Sequence, residues 1–177
     1  MKIKNFSAFF WSVSTVLVLA LPIMAQAASF QDVPENTVHY NAIEYLKAKG
    51  VVGGYSDGTF QPDKTINRAE ALKIILLASG LSGESTTVID FPDVHPKDWF
   101  YGYVQRGVER DIVKGYDDGN FKPANNINVA ESLKIILLSF AMDLPASVLS
   151  DPYPDVSKTV WYANYAEYSR AKQIIWT

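Results

Sequence analysis

An internal repeat constrains this chain more than any other feature of its sequence. A shift of 61 residues aligns Phe30–Leu77 with Phe91–Leu138 without a gap, and 21 of the 48 aligned positions are identical. Such self-similarity is typical of repeat architectures, in which one helical unit cannot bury its apolar face alone and packs on its neighbours. The sequence therefore predicts stacked, similar units rather than one irregular core.

A third copy of the pattern begins 62 residues after the second. Tyr153-Pro154-Asp155-Val156 corresponds to Phe91-Pro92-Asp93-Val94, and Trp161 corresponds to Trp99. Thr177 stands opposite Gly115, so the third copy contains only the first half of the pattern. We therefore divide the chain into a leader, 1–27, and three units: unit one at 28–85, unit two at 86–147 and a half unit three at 148–177.

The leader has the features of a secretory signal peptide. Lys2 and Lys4 precede an apolar run from Phe6 to Leu21, and Ala25-Gln26-Ala27 follows it as a small-residue cleavage site. The run is shorter than the roughly 20 apolar residues that span a membrane, which favours a cleaved signal over the alternative of an uncleaved anchor. The sequence predicts secretion.

Composition excludes several classes of protein. The chain has no cysteine and two histidines, which leaves no disulfide framework, no Cys-based zinc site and no thiol nucleophile. Without the leader the net charge is −5, and a nucleic-acid partner needs a basic surface. We expect no metal, no cofactor and no nucleic acid.

The first half of each unit predicts a short helix. In unit one the helix is expected over roughly Val38–Lys49, with Gly50 ending it. Thr37, Asp98 and Thr159 occupy the positions expected for helix N-caps in the three copies.

A turn follows in units one and two, with Asp57-Gly58 in one and Asp118-Gly119 in the other. Asp-Gly between aromatic residues is a strong turn signal, which predicts a loop or short ribbon. Calcium is an alternative reading of these acidic residues, but an EF-hand begun at Asp117 would place its bidentate Glu at Asn128.

The second half of each complete unit predicts an apolar helix with a capping box. Asn67 and Asn128 are the expected N-caps, and Glu70 and Glu131 follow three residues later. The apolar positions then recur at helical spacing, which predicts that these helices form the core: Leu72, Ile75 and Leu76 in unit one, and Leu133, Ile136 and Leu137 in unit two.

Taken in order, these motifs resemble the S-layer homology (SLH) repeat. The shared pattern is aromatic-x-Asp-Val, a Trp, Gly-Tyr-x-Asp-Gly-x-Phe-x-Pro, and then Ile-Asn-x-Ala-Glu at the head of an apolar helix. The resemblance covers about 30–177. It implies a mainly α fold, a pseudo-threefold helical spindle with two main helices per repeat joined by a turn or short ribbon, here with an incomplete third repeat. It also implies a non-catalytic module that anchors a secreted bacterial protein to the cell surface by binding a wall-linked polysaccharide, commonly a pyruvylated one.

The resemblance also implies glycan-binding residues, which fall mainly at the start of the second helix. Unit one has Asn67 and Arg68 there, whereas unit two has Asn128 followed by Val129 and so lacks the guanidinium. Trp99 and Trp161 match the family tryptophan, and unit one has Val38 at that place. The candidate glycan-binding residues are Asn67, Arg68, Trp99, Asn128 and Trp161.

The residues themselves leave alternatives open. Arg68 either meets an acidic sugar, aided by the helix N-terminus, or lies on a solvated first turn. Trp99 and Trp161 either stack on a sugar or close a core. Glu70 and Glu131 fit capping better than ligand contact, and the Asp-Gly residues fit a structural role.

Two other functions were weighed against wall anchoring. One is a self-assembling surface-layer protein that uses its repeats for protein contacts, and the other is a glycan-cleaving enzyme that uses carboxylates such as Asp57, Asp118 and Asp155. The missing half of unit three also predicts an uncovered core, with exposed parts of Leu72, Ile75, Leu133 and Ile136, and hence self-association.

Overall fold

The computed structural model describes residues 28–81 and 85–175, and the predicted signal peptide lies outside them. Five α-helices form the described structure, and no β-strand occurs within those two ranges. They are α1 (Tyr40–Ala48), α2 (Arg68–Ala78), α3 (Tyr101–Glu109), α4 (Val129–Ser139) and α5 (Ala163–Ala171). The predicted mainly α fold, with two helices and a connecting loop in units one and two, is confirmed.

The helices of neighbouring units interleave. Helix α2 packs on α3 and α4, and α4 packs on α5, so the second helix of one unit contacts the first helix of the next. Gly107 in α3 permits the close approach, because a Cβ built there would lie 3.4 Å from Leu72 Cδ1 of α2. The repeat in the sequence is therefore offset from the packing unit in the structure.

One apolar cluster fills the interior between α2, α3 and α4. Leu72, Leu76, Val104, Phe121 and Ile135 are each almost fully buried in it. A smaller cluster in unit one holds Phe30, Val33 and Ile43 against the far face of α2.

The expectation of an uncovered core is wrong for the residues named in it. Leu72, Ile75 and Leu133 are buried, and Ile136 is partly buried against the main cluster. Helices α3 and α5 pack over α2 and α4, respectively, and so cover these side chains. Within unit two the deepest position of α4 is instead Ile135, one residue earlier.

The predicted caps of the first helices are also wrong. The helices begin after His39, Phe100 and Tyr162, and none of these makes a side-chain cap. A backbone turn precedes each helix instead, as in Tyr101 N–H, which donates to the Asp98 carbonyl oxygen at 3.0 Å. The Asp98 carboxylate accepts from His95 N at 2.7 Å and so closes this turn rather than the helix.

The aspartate in each aromatic-x-Asp-Val motif fixes the loop that follows α1 or α3. Asp32 accepts from Phe60 N and Gln61 N, both at 2.7 Å. Asp93 accepts from Phe121 N at 2.9 Å and from Lys122 N at 2.7 Å. Gln61 and Lys122 have φ of 57° and 59°, so the carboxylates hold the loop at a backbone conformation that such residues seldom adopt.

Candidate functional site

Both second helices begin with the predicted capping box. Asn67 Oδ1 accepts from Glu70 N at 2.9 Å, and Glu70 Oε2 accepts from Asn67 N at 2.9 Å. Asn128 and Glu131 make the same reciprocal pair. The boxes satisfy N–H groups that the first helical turn leaves without partners.

The Asp-Gly motifs form tight turns. Asp57 Oδ1 accepts from Thr59 N at 3.0 Å, and Asp118 Oδ1 accepts from Asn120 N at 3.1 Å. Gly58 and Gly119 have φ near +80°, where a side chain would be strained. These residues shape the loops, and the two aspartates lie in different units.

Arg68 is neither solvated nor free, contrary to one reading of its sequence position. It is 7% exposed and reaches from α2 into unit two. Its guanidinium carbon lies 5.1 Å from the ring centre of Tyr116 and 4.8 Å from that of Phe121. Both rings therefore provide cation–π contacts inside a protected site.

Polar groups of unit two complete the surroundings of the Arg68 guanidinium. Nη2 donates to the Lys114 carbonyl oxygen at 3.1 Å, and Nη1 lies 3.7 Å from Glu131 Oε1. The Tyr116 hydroxyl donates to the same carboxylate oxygen. We call this set, formed by Lys114, Tyr116, Phe121 and Glu131, the arginine slot of unit two.

The backbone at the start of α2 is also held by unit two. Arg68 N donates to the Asn125 carbonyl oxygen at 2.8 Å, and Ala69 N donates to that of Pro123 at 3.1 Å. Asn67 and Asn126 form an antiparallel bridge beside these bonds. The first turn of α2 thus docks on the unit-two loop through both backbone and side chain.

Val129 occupies the position of Arg68 in α4 and has very different surroundings. It is 64% exposed, and Asn128 beside it is also exposed. A cavity of about 580 Å³ lies here, between the starts of α4 and α5, with Tyr153 and Trp161 among its lining residues. No loop of the described chain covers this helix start.

Trp99 and Trp161 lie outside the core, so the reading that they close a core is wrong. They are 55% and 60% exposed, and each packs edge-on against the next aromatic residue. Lys73 Nζ is 5.5 Å from the Trp99 ring centre, and Lys134 Nζ is 5.8 Å from that of Trp161. Each pair joins a second helix to the first helix of the next unit.

These pairs belong to two corresponding surfaces. The first face consists of Gly53, Tyr55, Glu70, Lys73 and Trp99, which line a cavity of about 550 Å³. The second face consists of the residues at the same repeat positions, Lys114, Tyr116, Glu131, Lys134 and Trp161. The aromatic residues recur, but Lys114 replaces Gly53 and the second face also receives Arg68.

The second face concentrates positive charge. Burial lowers the pKa of Lys134, and the nearby charges of Lys114 and Arg68 lower it further. Burial also raises the pKa of Tyr116, and its hydrogen bond to Glu131 acts in the same direction. Three cations beside an exposed indole can attract an anion and stack on a sugar ring, although the chain as a whole is acidic.

Sequence reasoning underrated the two lysines. Lys73 and Lys134 lie one to two turns beyond the Asn-x-Ala-Glu motif, where a solvated role is the simplest interpretation. Their signal was the equal spacing to a tryptophan in the following unit, which only the interleaved packing brings near. Among residues 28–81 and 85–175, no group of three or more His, Asp or Glu side chains is placed to hold a metal ion.

Comparison with known proteins identifies the repeats. The S-layer homology domain model matches residues 29–72 and 90–131. A surface layer protein of Brevibacillus choshinensis is 34% identical over 134 residues, which is 71% of this chain and 12% of that protein. The match thus covers the helix starts and loops of both complete units.

Two further relatives have different printed descriptions. The cellulosome-anchoring protein of Acetivibrio thermocellus is 31% identical over 153 residues, covering 77% of this chain and 33% of that protein. The exoglucanase XynX of the same organism is 27% identical over 120 residues, covering 68% of this chain and 11% of that protein. The chain spans a third or less of the length of each of these three relatives.

Proposed function

Because the chain belongs to the S-layer homology family, we propose that it is a non-catalytic anchoring module that holds a wall polysaccharide on its second face. Family members of this kind are secreted cell-surface proteins, and this chain is one of them. Among the described residues no helix is long and apolar enough to cross a membrane. Retention at the surface then depends on binding.

The charge cluster around Lys134 is the observation that carries the proposal. Lys134 is half-buried, its pKa is lowered by burial and by Lys114 and Arg68, and it lies over the exposed Trp161 ring. A carboxylate or ketal group of an acidic sugar would compensate these charges through charge-assisted hydrogen bonds. Arg68 contributes its charge from below, since its donors already face Lys114 and Glu131.

The first face serves as an internal reference for this proposal. It has the same lysine and tryptophan, but Gly53 stands in place of Lys114 and no arginine enters from another unit. A surface with one lysine beside the carboxylate of Glu70 offers little net attraction to an anion. We therefore assign the glycan to the second face.

Binding to purified cell-wall sacculi of the source bacterium tests the assignment. Lys134→Ala should weaken binding about tenfold or more, as expected for the loss of a hydrogen bond to a charged group of about 1.5–3 kcal/mol. The matched variant Lys73→Ala should change it by less than about twofold, in line with an exposed charge that has no anionic partner. Both variants keep the core and the capping boxes unchanged.

Removal of the wall polysaccharide from the sacculi provides the second arm. Binding should fall to background on the stripped sacculi, because the proposal assigns recognition to the glycan and not to peptidoglycan. Equal binding before and after removal, or equal losses in the two lysine variants, would contradict the proposal. An enzyme with Asp57 or Asp118 as catalytic acid is not proposed, since each carboxylate closes its own turn.

A further inference from the structure

Unit one contains an arginine slot that the described chain leaves open. The slot of unit two is built from the Lys114 carbonyl, Tyr116, Phe121 and Glu131. Sixty-one residues earlier stand the Gly53 carbonyl, Tyr55, Phe60 and Glu70, and all four residues line the cavity of about 550 Å³. The same four positions therefore recur, with space where Arg68 lies in unit two.

The backbone acceptors recur with them. Pro123 and Asn125 accept from the first turn of α2, and their counterparts in unit one are Pro62 and Lys64. No described residue donates a backbone hydrogen bond to the Pro62 or Lys64 carbonyl oxygen. Thr65 corresponds to Asn126, the residue that bridges to Asn67 in front of α2.

The charges in this slot favour a cation. In unit two Glu131 Oε1 faces Arg68 and the Tyr116 hydroxyl. In unit one Glu70 Oε2 closes the capping box, whereas its Oε1 has no ion pair or hydrogen bond with another described residue. Tyr55 is more exposed than Tyr116, as expected of a ring without a guanidinium over it.

We propose that unit one is a docking site for the start of a helix that carries arginine at its first position, as α2 does. The arginine would enter between Tyr55 and Phe60 toward Glu70, and its backbone would donate to Pro62 and Lys64. Helix α2 already fills the slot of unit two, and α4 begins with Val129, so the occupant comes from outside the described residues. The proposal does not depend on glycan binding.

Disulfide tethering tests the site, because the chain has no cysteine of its own. Thr65→Cys is introduced into the chain, and the partner is a peptide of residues 64–81 with Asn67→Cys. Residues paired across an antiparallel bridge lie close enough for a disulfide. The matched control peptide differs only by Arg68→Val, which reproduces the start of α4. Capture is measured by mass spectrometry at a fixed excess of a competing small thiol.

The arginine peptide should be captured at least about tenfold more than the valine peptide, because only a charged group can pair with Glu70. Tyr55→Ala in the chain should lower capture of the arginine peptide to the valine level, and circular dichroism checks that this half-exposed substitution keeps the fold. Equal capture of the two peptides, no capture of either, or capture unaffected by Tyr55→Ala would overturn the proposal. Wall binding is not the readout, so this outcome is independent of the proposed function.

Discussion

The starts of α2 and α4 have almost the same sequence but opposite surroundings. Both have an Asn N-cap and a Glu that completes the capping box, yet Arg68 is buried and Val129 is exposed. The unit-two loop lies in front of α2 and accepts its first backbone N–H groups, whereas no described loop lies in front of α4. In this fold the role of a helix-start residue is therefore decided by the next unit.

Exchange of the two residues should break the comparison most strongly. Arg68→Val removes two cation–π contacts and leaves Glu131 without its cation, and it should lower the free energy of unfolding by about 2–4 kcal/mol. Val129→Arg places a charge at an exposed position and should change it by less than about 0.5 kcal/mol. Urea denaturation of both variants is the measurement. Similar losses in the two would show that burial of Arg68 contributes nothing specific.

Packing between α2 and α3 gives the next largest effect. Gly107→Ala would put a Cβ 2.6 Å from Val113 Cγ2, so it should lower the free energy of unfolding by about 1–3 kcal/mol. Gly102→Ala in the same helix meets no atom within 4 Å and should raise it by about 0.5–1 kcal/mol through helix propensity. Thermal unfolding of the pair checks this. A stabilising Gly107→Ala would mean that α3 does not approach α2 closely.

The two tryptophans sharpen the comparison between the faces. Trp161→Ala should weaken binding to sacculi about fivefold, as expected for losing a stacking contact of about 1 kcal/mol, and Trp99→Ala should have a smaller effect. Co-sedimentation over a range of sacculus concentrations gives both affinities. If Trp99→Ala caused the larger loss, the glycan would lie on the first face instead.

Titration of Lys134 should give the smallest effect. Its pKa in the folded chain lies below the ordinary value of 10.5, so between those two values the unfolded chain binds more protons than the folded one. Its contribution to stability therefore rises with pH in that window. Relative to Lys134→Met, the unsubstituted chain should gain stability between pH 7 and pH 10, measured by urea denaturation. A loss over that interval would contradict the lowered pKa.

Local patterns in the sequence were sufficient for the helices and their caps. The capping boxes at Asn67 and Asn128 and the Asp-Gly turns depend on residues two or three positions apart, and the structure has them where the pattern predicts. The expected caps at Thr37 and Asp98 failed, because a backbone turn competes with side-chain capping at these positions. Local signals thus predicted the elements better than their first turns.

The site depended on contacts that no local pattern contains. Arg68 meets Lys114, Tyr116 and Glu131, which lie 46 to 63 residues further along the chain. The repeat identified which residues correspond but not which unit faces which. The pairing of Lys134 with Trp161, and the burial of an arginine that resembled a surface residue, follow from the interleaved helices alone.

That interleaving determines where the chain can be cut. A truncation at the sequence boundary after residue 85 would keep α2 but remove α3, and so uncover Leu72 and the surface over which Gly107 lies. A fragment that ends after α3 retains the helix that covers α2, although it still lacks the loop that receives Arg68. Modules of this kind are therefore best exchanged or recombined with their boundaries placed inside a repeat, beyond the loop that docks the preceding helix, rather than between two repeats.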